Sequence, residues 1–98
     1  MKKVSELKAK DFIAFGFNYN GGKANEIIVS NITSKNKGEL LVHFMYGHHS
    51  LSEYIKQKDV IAIGNPEGKT KFRGWSGMFD LVKPNHHLIT EEHVEETE

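Results

Sequence analysis

The stretch Leu40-Leu41-Val42-His43-Phe44-Met45-Tyr46-Gly47-His48-His49 decides the reading of the whole chain. In an extended backbone, side chains alternate between two faces, so Leu40, Val42, Phe44 and Tyr46 share one face and Gly47 supplies the reversal. The pattern predicts a strand over Glu39–Tyr46 that closes on an aromatic-Gly turn. Working back toward the N-terminus, Ile13, Phe15 and Phe17 alternate with Phe12, Ala14 and Gly16, which are also apolar, so a first strand with little exposed surface is predicted. Asn18-Tyr19-Asn20-Gly21-Gly22 supplies residues that tolerate positive φ and so a tight reversal. Residues 27 to 33 read as the second strand, and Ser34-Lys35-Asn36-Lys37-Gly38 as the turn into the third. Past Gly47, residues 50 to 56 alternate weakly, as either a fourth strand or a single helical turn. Residues 60 to 63 form a short apolar run that ends at Gly64-Asn65-Pro66-Glu67-Gly68, where proline fixes φ and glycine frees it. Five short strands within 64 residues predict a small all-β barrel.

Downstream, residues 69 to 77 mix basic and aromatic side chains with two glycines and read as a long loop or flap. Residues 78 to 82 add one more possible strand before Pro84 stops it. Residues 5 to 10 suit a short helical turn capped by Ser5, and Thr90 suits the cap of a helix with Glu91 and Glu92 in its first turn. The expected organisation is one domain over residues 1 to 85, with an acidic tail over 86 to 98.

With 98 residues there is room for one modest core and no second domain. There is no cysteine, which rules out disulfides, thiol nucleophiles and cysteine-based zinc sites, and fits a reducing compartment. No apolar run approaches the roughly 20 residues that span a bilayer. Met1-Lys2-Lys3 leads into Val4-Ser5-Glu6, not into the apolar core of a leader. The expected location is cytoplasmic, with no membrane partner. The chain carries 13 basic and 13 acidic residues, but residues 1 to 90 hold all 13 Lys and Arg against 8 Asp and Glu, a net +5, and residues 91 to 98 hold five Glu. The acidic end reads either as a solvated terminus or as a tail that screens a basic face until a more highly charged partner displaces it.

Taken in order, Lys10-Asp11, the aromatic-ending strand Phe12–Phe17, Gly21-Gly22, the β-branched run at 27 to 32, Val42 to Gly47 and the segment at 51 to 60 resemble a Tudor-type module. The likeness spans residues 8 to 63. It implies an all-β, SH3-like small barrel of about five antiparallel strands, here with a C-terminal loop extension and an acidic tail. It also implies a ligand surface at Phe17 and Tyr46, with His48 near the position of a polar cage residue. Such a cage holds a methylated cation by cation–π attraction. The KOW-type barrels of transcription and translation factors share the architecture and imply nucleic acid or a polymerase as partner.

Lys69, Lys71 and Arg73 alternate with Thr70 and Phe72 and precede Trp75, so an extended conformation places three cations on one face near two aromatics. That combination suits a nucleic-acid strand, with cations on phosphates and rings on unpaired bases. The bland counterpart is that Phe72 and Trp75 fold back into the core. Six histidines include the pairs His48-His49 and His86-His87, but neighbours on a strand point to opposite faces and no His-x-x-x-His spacing occurs, so no metal is expected. Half of a paired His-x-Ser motif (His48, Ser50) and a degenerate Gly-Lys-Thr run (Gly68, Lys69, Thr70) are all that hints at catalysis. The first lacks its second copy, and the second is too short between glycines and leads into no helix. No catalytic residue and no cofactor is expected.

The sequence therefore predicts a non-catalytic module that contacts nucleic acid, or a nucleic-acid-processing complex, through Lys69, Lys71, Phe72, Arg73 and Trp75. A partner surface is expected at Phe17, Tyr19, Tyr46 and His48. The alternatives are a protein-binding adaptor or inhibitor using the Phe17/Tyr46 surface, and a small-molecule pocket shared in a homo-oligomer.

Overall fold

The computed structural model describes residues 3 to 96. It contains eight strands: β1 Phe12–Phe17, β2 Glu26–Asn36, β3 Glu39–Tyr46, β4 His49–Ile55, β5 Val60–Gly64, β6 Thr70–Phe72, β7 Met78–Leu81 and β8 Val94–Glu96. Two single 3₁₀ turns, Val4–Glu6 and Gln57–Asp59, are the helical elements among the described residues. None is long and apolar enough to cross a membrane. All pairings are antiparallel, and the strands form one sheet in the order β4-β3-β2-β1-β5-β7-β6-β8. The all-β expectation holds, and the five expected strands are present. A barrel of about five strands is too small a description: the sheet is open and three further strands extend it.

The long strand β2 serves two partners in turn. Residues 26 to 31 pair with β1, whereas Ile32 to Asn36 pair with β3, with a register shift between Ile32 and Ser34. An extra residue at such a shift bends a strand, so the sheet folds over itself there. The fold encloses a first core of Ile13, Phe15 and Phe17 from β1, Ile32 from β2, Leu40 and Val42 from β3, Ile55 from β4, and Val60 and Ile63 from β5. Leu7, just past the first 3₁₀ turn, plugs this core at 1% exposure. That turn begins at Val4 and not at Ser5, and the Lys3 backbone N–H donates to Glu6 Oε1 at 2.9 Å.

The opposite face of β1 and β5 carries a second core of Ala14, Ile61, Ala62, Phe72, Phe79 and Val94. Its origin lies in side-chain size. Ala14 and Ala62 are small and directly opposed, which leaves depth for Phe72 and Phe79, packed edge to face at 5.1 Å and 83°. Burying each phenylalanine stabilises the fold by about 1.5–3 kcal/mol. Opposite β1, Ala14 pairs with Ala62 and Phe15 with Val60, so Ile61 is the extra residue of a bulge. This bulge lets the neighbours Val60 and Ile61 serve different cores.

Two sequence expectations change here. Residues 69 to 77 are not a free flap: Thr70 and Phe72 are buried and β6 pairs on both sides, with β7 and with β8. Gly68 permits the entry, because a Cβ there would lie 2.4 Å from the Phe79 carbonyl oxygen. Residues 91 to 96 are not a solvated terminus either. Thr90 starts a turn and not a helix, its carbonyl accepting from the His93 and Val94 N–H groups at 3.1 and 3.0 Å, and Val94 then buries its side chain beside Phe72. Val94 is the apolar anchor of this acidic run.

Candidate functional site

The first sequence-predicted surface is brought together, but as a packed stack. Tyr19 lies flat on Tyr46, with ring centres 5.2 Å apart and planes 6° from parallel, and edges toward His49 at 6.3 Å. Phe17 sits beneath them, buried, meeting Phe44 and Tyr46 edge-on at 5.2 and 5.7 Å. The Tyr46 hydroxyl donates to Glu26 Oε2, a bond that only the neutral phenol can make, and this, with burial and the Glu26 charge behind it, pushes the phenol above its ordinary value. Tyr19 covers one face of the Tyr46 ring, and Phe17 offers no open face, so these rings do not frame a gap for a cation. His48 is exposed in the two-residue turn that it forms with Gly47, whose φ of 61° requires glycine-like freedom. It is His49, paired with Tyr46 across the hairpin, that joins the stack.

The second predicted surface is divided. Phe72 is core, at 2% exposure. Lys71 stands opposite Glu95 across the β6–β8 ladder, and the Arg73 guanidinium donates from Nη2 to the Glu91 carbonyl at 2.7 Å. Lys69 is exposed. The acidic segment therefore lies along the basic one. Trp75 is neither plug nor free ring: half-buried, it rests against Phe12 with centroids 5.6 Å apart and planes tilted by 55°.

That contact lines an open cleft of about 490 Å³, which the sequence did not reveal. Phe12, Trp75 and Met78 give it apolar walls, and Lys10, Asp11 and Ser76 bring polar groups to its rim. Phe12 is 43% exposed, an unusual state for a strand otherwise buried on both faces. Backbone bonds tie down the residues that lead into it. Lys10, held at φ 78°, donates its N–H to the Ile32 carbonyl at 2.7 Å, and Ile32 returns one to Asp11 at 2.8 Å. On the far rim Asn65 is fully engaged: its Nδ2 donates to Asp80 Oδ2 at 2.7 Å, its Oδ1 accepts from the Glu67 N–H at 3.0 Å, and its own N–H reaches Met78. The signal that was available was the alternation itself, since Phe12 shares its face with the small residues Ala14 and Gly16 and so has no large neighbour on its own strand.

The remaining histidines are engaged locally. His43 bonds Ser52, and His87 Nε2 bonds the Ala24 carbonyl at 2.7 Å. Among the described residues no three His, Cys, Asp or Glu side chains converge to hold a metal ion. Comparison with protein-family models, curated proteins and solved structures returns no match.

Proposed function

We propose that the protein is a non-catalytic binding module and that single-stranded nucleic acid docks in the Phe12–Trp75 cleft. The strand order β4-β3-β2-β1-β5, the bend in β2 and the first core support a small barrel of the SH3-like class for residues 12 to 64, with β6 to β8 as an annex. The observation that carries the function is the Phe12–Trp75 ring pair, open to a cleft of about 490 Å³ with Lys10 on its rim. A base stacked on such a platform gains about 1–3 kcal/mol, and an ammonium group beside it neutralises a phosphate. The net +5 of residues 1 to 90 adds long-range attraction. The ring platform, with Lys10, Asp11 and Ser76 around it, supports a binding role.

Fluorescence anisotropy with labelled oligouridylate and oligothymidylate at low salt tests the reading. Binding that weakens with salt by about 0.7 log units per log unit for each phosphate neutralised supports it. Absence of binding to both oligomers rejects it.

A second reading is favoured by a separate observation. Met45 and Tyr54 are 65% and 54% exposed beside the unpaired edge of β4, a surface suited to a peptide adding a strand. Capture of a protein that survives nuclease and high salt would favour that reading.

A further inference from the structure

The terminal strand β8 closes one end of the sheet. It spans three residues, pairs among the described residues with β6 alone, and is led in by residues 89 to 94, which border clefts of about 400 and 230 Å³. Close packing is what makes a segment costly to lift, so a short strand led in by a turn with clefts beside it, and with no described strand on its outer side, opens more readily than an inner strand of the sheet.

Beside the ladder with β6, four contacts hold this segment, and their chemistry is general. The Arg73 N–H donates to the His93 carbonyl at 3.1 Å, and Arg73 Nη2 donates to the Glu91 carbonyl at 2.7 Å, so both read main chain. Val94 fills an apolar position beside Phe72, and Glu95 stands opposite Lys71. Directly opposed side chains on antiparallel strands lie about 4.5–5.5 Å apart at Cβ, close enough for the opposite charges to favour this register. Any extended chain with one apolar residue followed by acidic ones presents the same groups.

The geometry points to the β6 edge as a docking site for an extended acidic peptide of a partner protein, which the chain's own residues 91 to 96 occupy in cis. The partner adds as an antiparallel strand, places an apolar side chain beside Phe72 and a carboxylate opposite Lys71, and lays two carbonyls on Arg73. The cis segment sets the threshold, because apparent affinity falls by the fraction of molecules in which the edge is free. This site is separate from the Phe12–Trp75 cleft and does not depend on what binds there.

The test uses the full chain and a fluorescent peptide with the sequence of residues 90 to 98. Val94→Asp weakens the cis segment and leaves the residues of β6 in place, and the labelled peptide is expected to bind this variant about tenfold or more tighter than the wild type. Adding Arg73→Ala to it removes that gain. Equal or absent binding in a Val94→Asp chain that keeps its thermal transition overturns the proposal, as does displacement of the peptide by oligothymidylate at matched charge, which would mark the edge as a general polyanion site. Should Val94→Asp fail to fold, hydrogen exchange of the wild type decides: the Arg73 amide exchanging much faster than the Ile63 amide supports a displaceable strand, and equal protection of the two overturns it.

Discussion

Ala14 stands directly opposite Ala62 in the β1–β5 ladder, and the shallow floor made by these two methyl groups is what admits Phe72 and Phe79 to the second core. A larger side chain at either position takes space already filled. Ala62→Leu is therefore expected to lower stability by about 1–3 kcal/mol, read as an earlier urea midpoint with unchanged slope. A neutral result would show that the second core is loosely filled.

The two aromatics of the 69 to 77 segment should behave differently on truncation. Phe72→Ala empties a core position and is expected to cost about 3–5 kcal/mol. Trp75→Ala, at a half-buried ring on a cleft wall, is expected to cost about 1–2 kcal/mol and to leave the fold intact. Urea denaturation of both variants checks the contrast, and equal losses would make Trp75 a core residue.

This contrast marks where the sequence was legible. The period-2 alternation of Phe12 to Phe17 and of Leu40 to Tyr46 identified strands correctly, including the double-sided burial of β1, because local spacing alone determines which side chains share a face. The same alternation in Thr70, Lys71 and Phe72 was visible, yet which of its faces is buried depends on Phe79 and Val94, brought in by β7 and β8. Nothing local carries that choice. Likewise the cleft joins residues 10 to 12, 64 to 66 and 75 to 79, three separate segments that only the β1–β5–β7 pairing assembles. The acidic composition of residues 91 to 98 masked Val94, whose burial beside Phe72 helps to dock residues 91 to 96.

Gly68 should resist even the smallest substitution. A Cβ at this position would fall 2.4 Å from the Phe79 carbonyl oxygen and 2.9 Å from its nitrogen, and backbone inside a ladder cannot move aside cheaply. Gly68→Ala is expected to lower the thermal midpoint by an amount equivalent to about 1–3 kcal/mol. Gly21→Ala supplies the contrast, since a Cβ there meets nothing within 4 Å and only its φ of 81° is strained.

His86 should give the fold a mildly acidic weakness. Its Nδ1 accepts the Leu88 N–H at 3.1 Å and so carries no proton, and its ring stacks on His87 at 4.4 Å. Burial pushes the imidazole below its ordinary value. His87, Lys83 and Lys23 push the same way, and Asp59 opposes them. A group with a lowered folded-state pKa stabilises the fold above its unfolded value, about 6.5, and loses that contribution as pH falls from there through the lower folded value. Thermal midpoints measured from pH 7.5 to 5 should fall more steeply for the wild type than for His86→Gln. Parallel profiles would remove His86 from the account.

Trp75 is the chain's one tryptophan, so its emission reports the proposed cleft without a label. Titration with oligouridylate or oligothymidylate at low salt is predicted to quench that emission saturably, with a midpoint that matches anisotropy, and Phe12→Ala is predicted to weaken the response about fivefold or more by removing half of the stacking platform. Emission that stays constant while anisotropy reports binding, or no response by either probe, would contradict the assignment of the Phe12–Trp75 cleft as the nucleic-acid site.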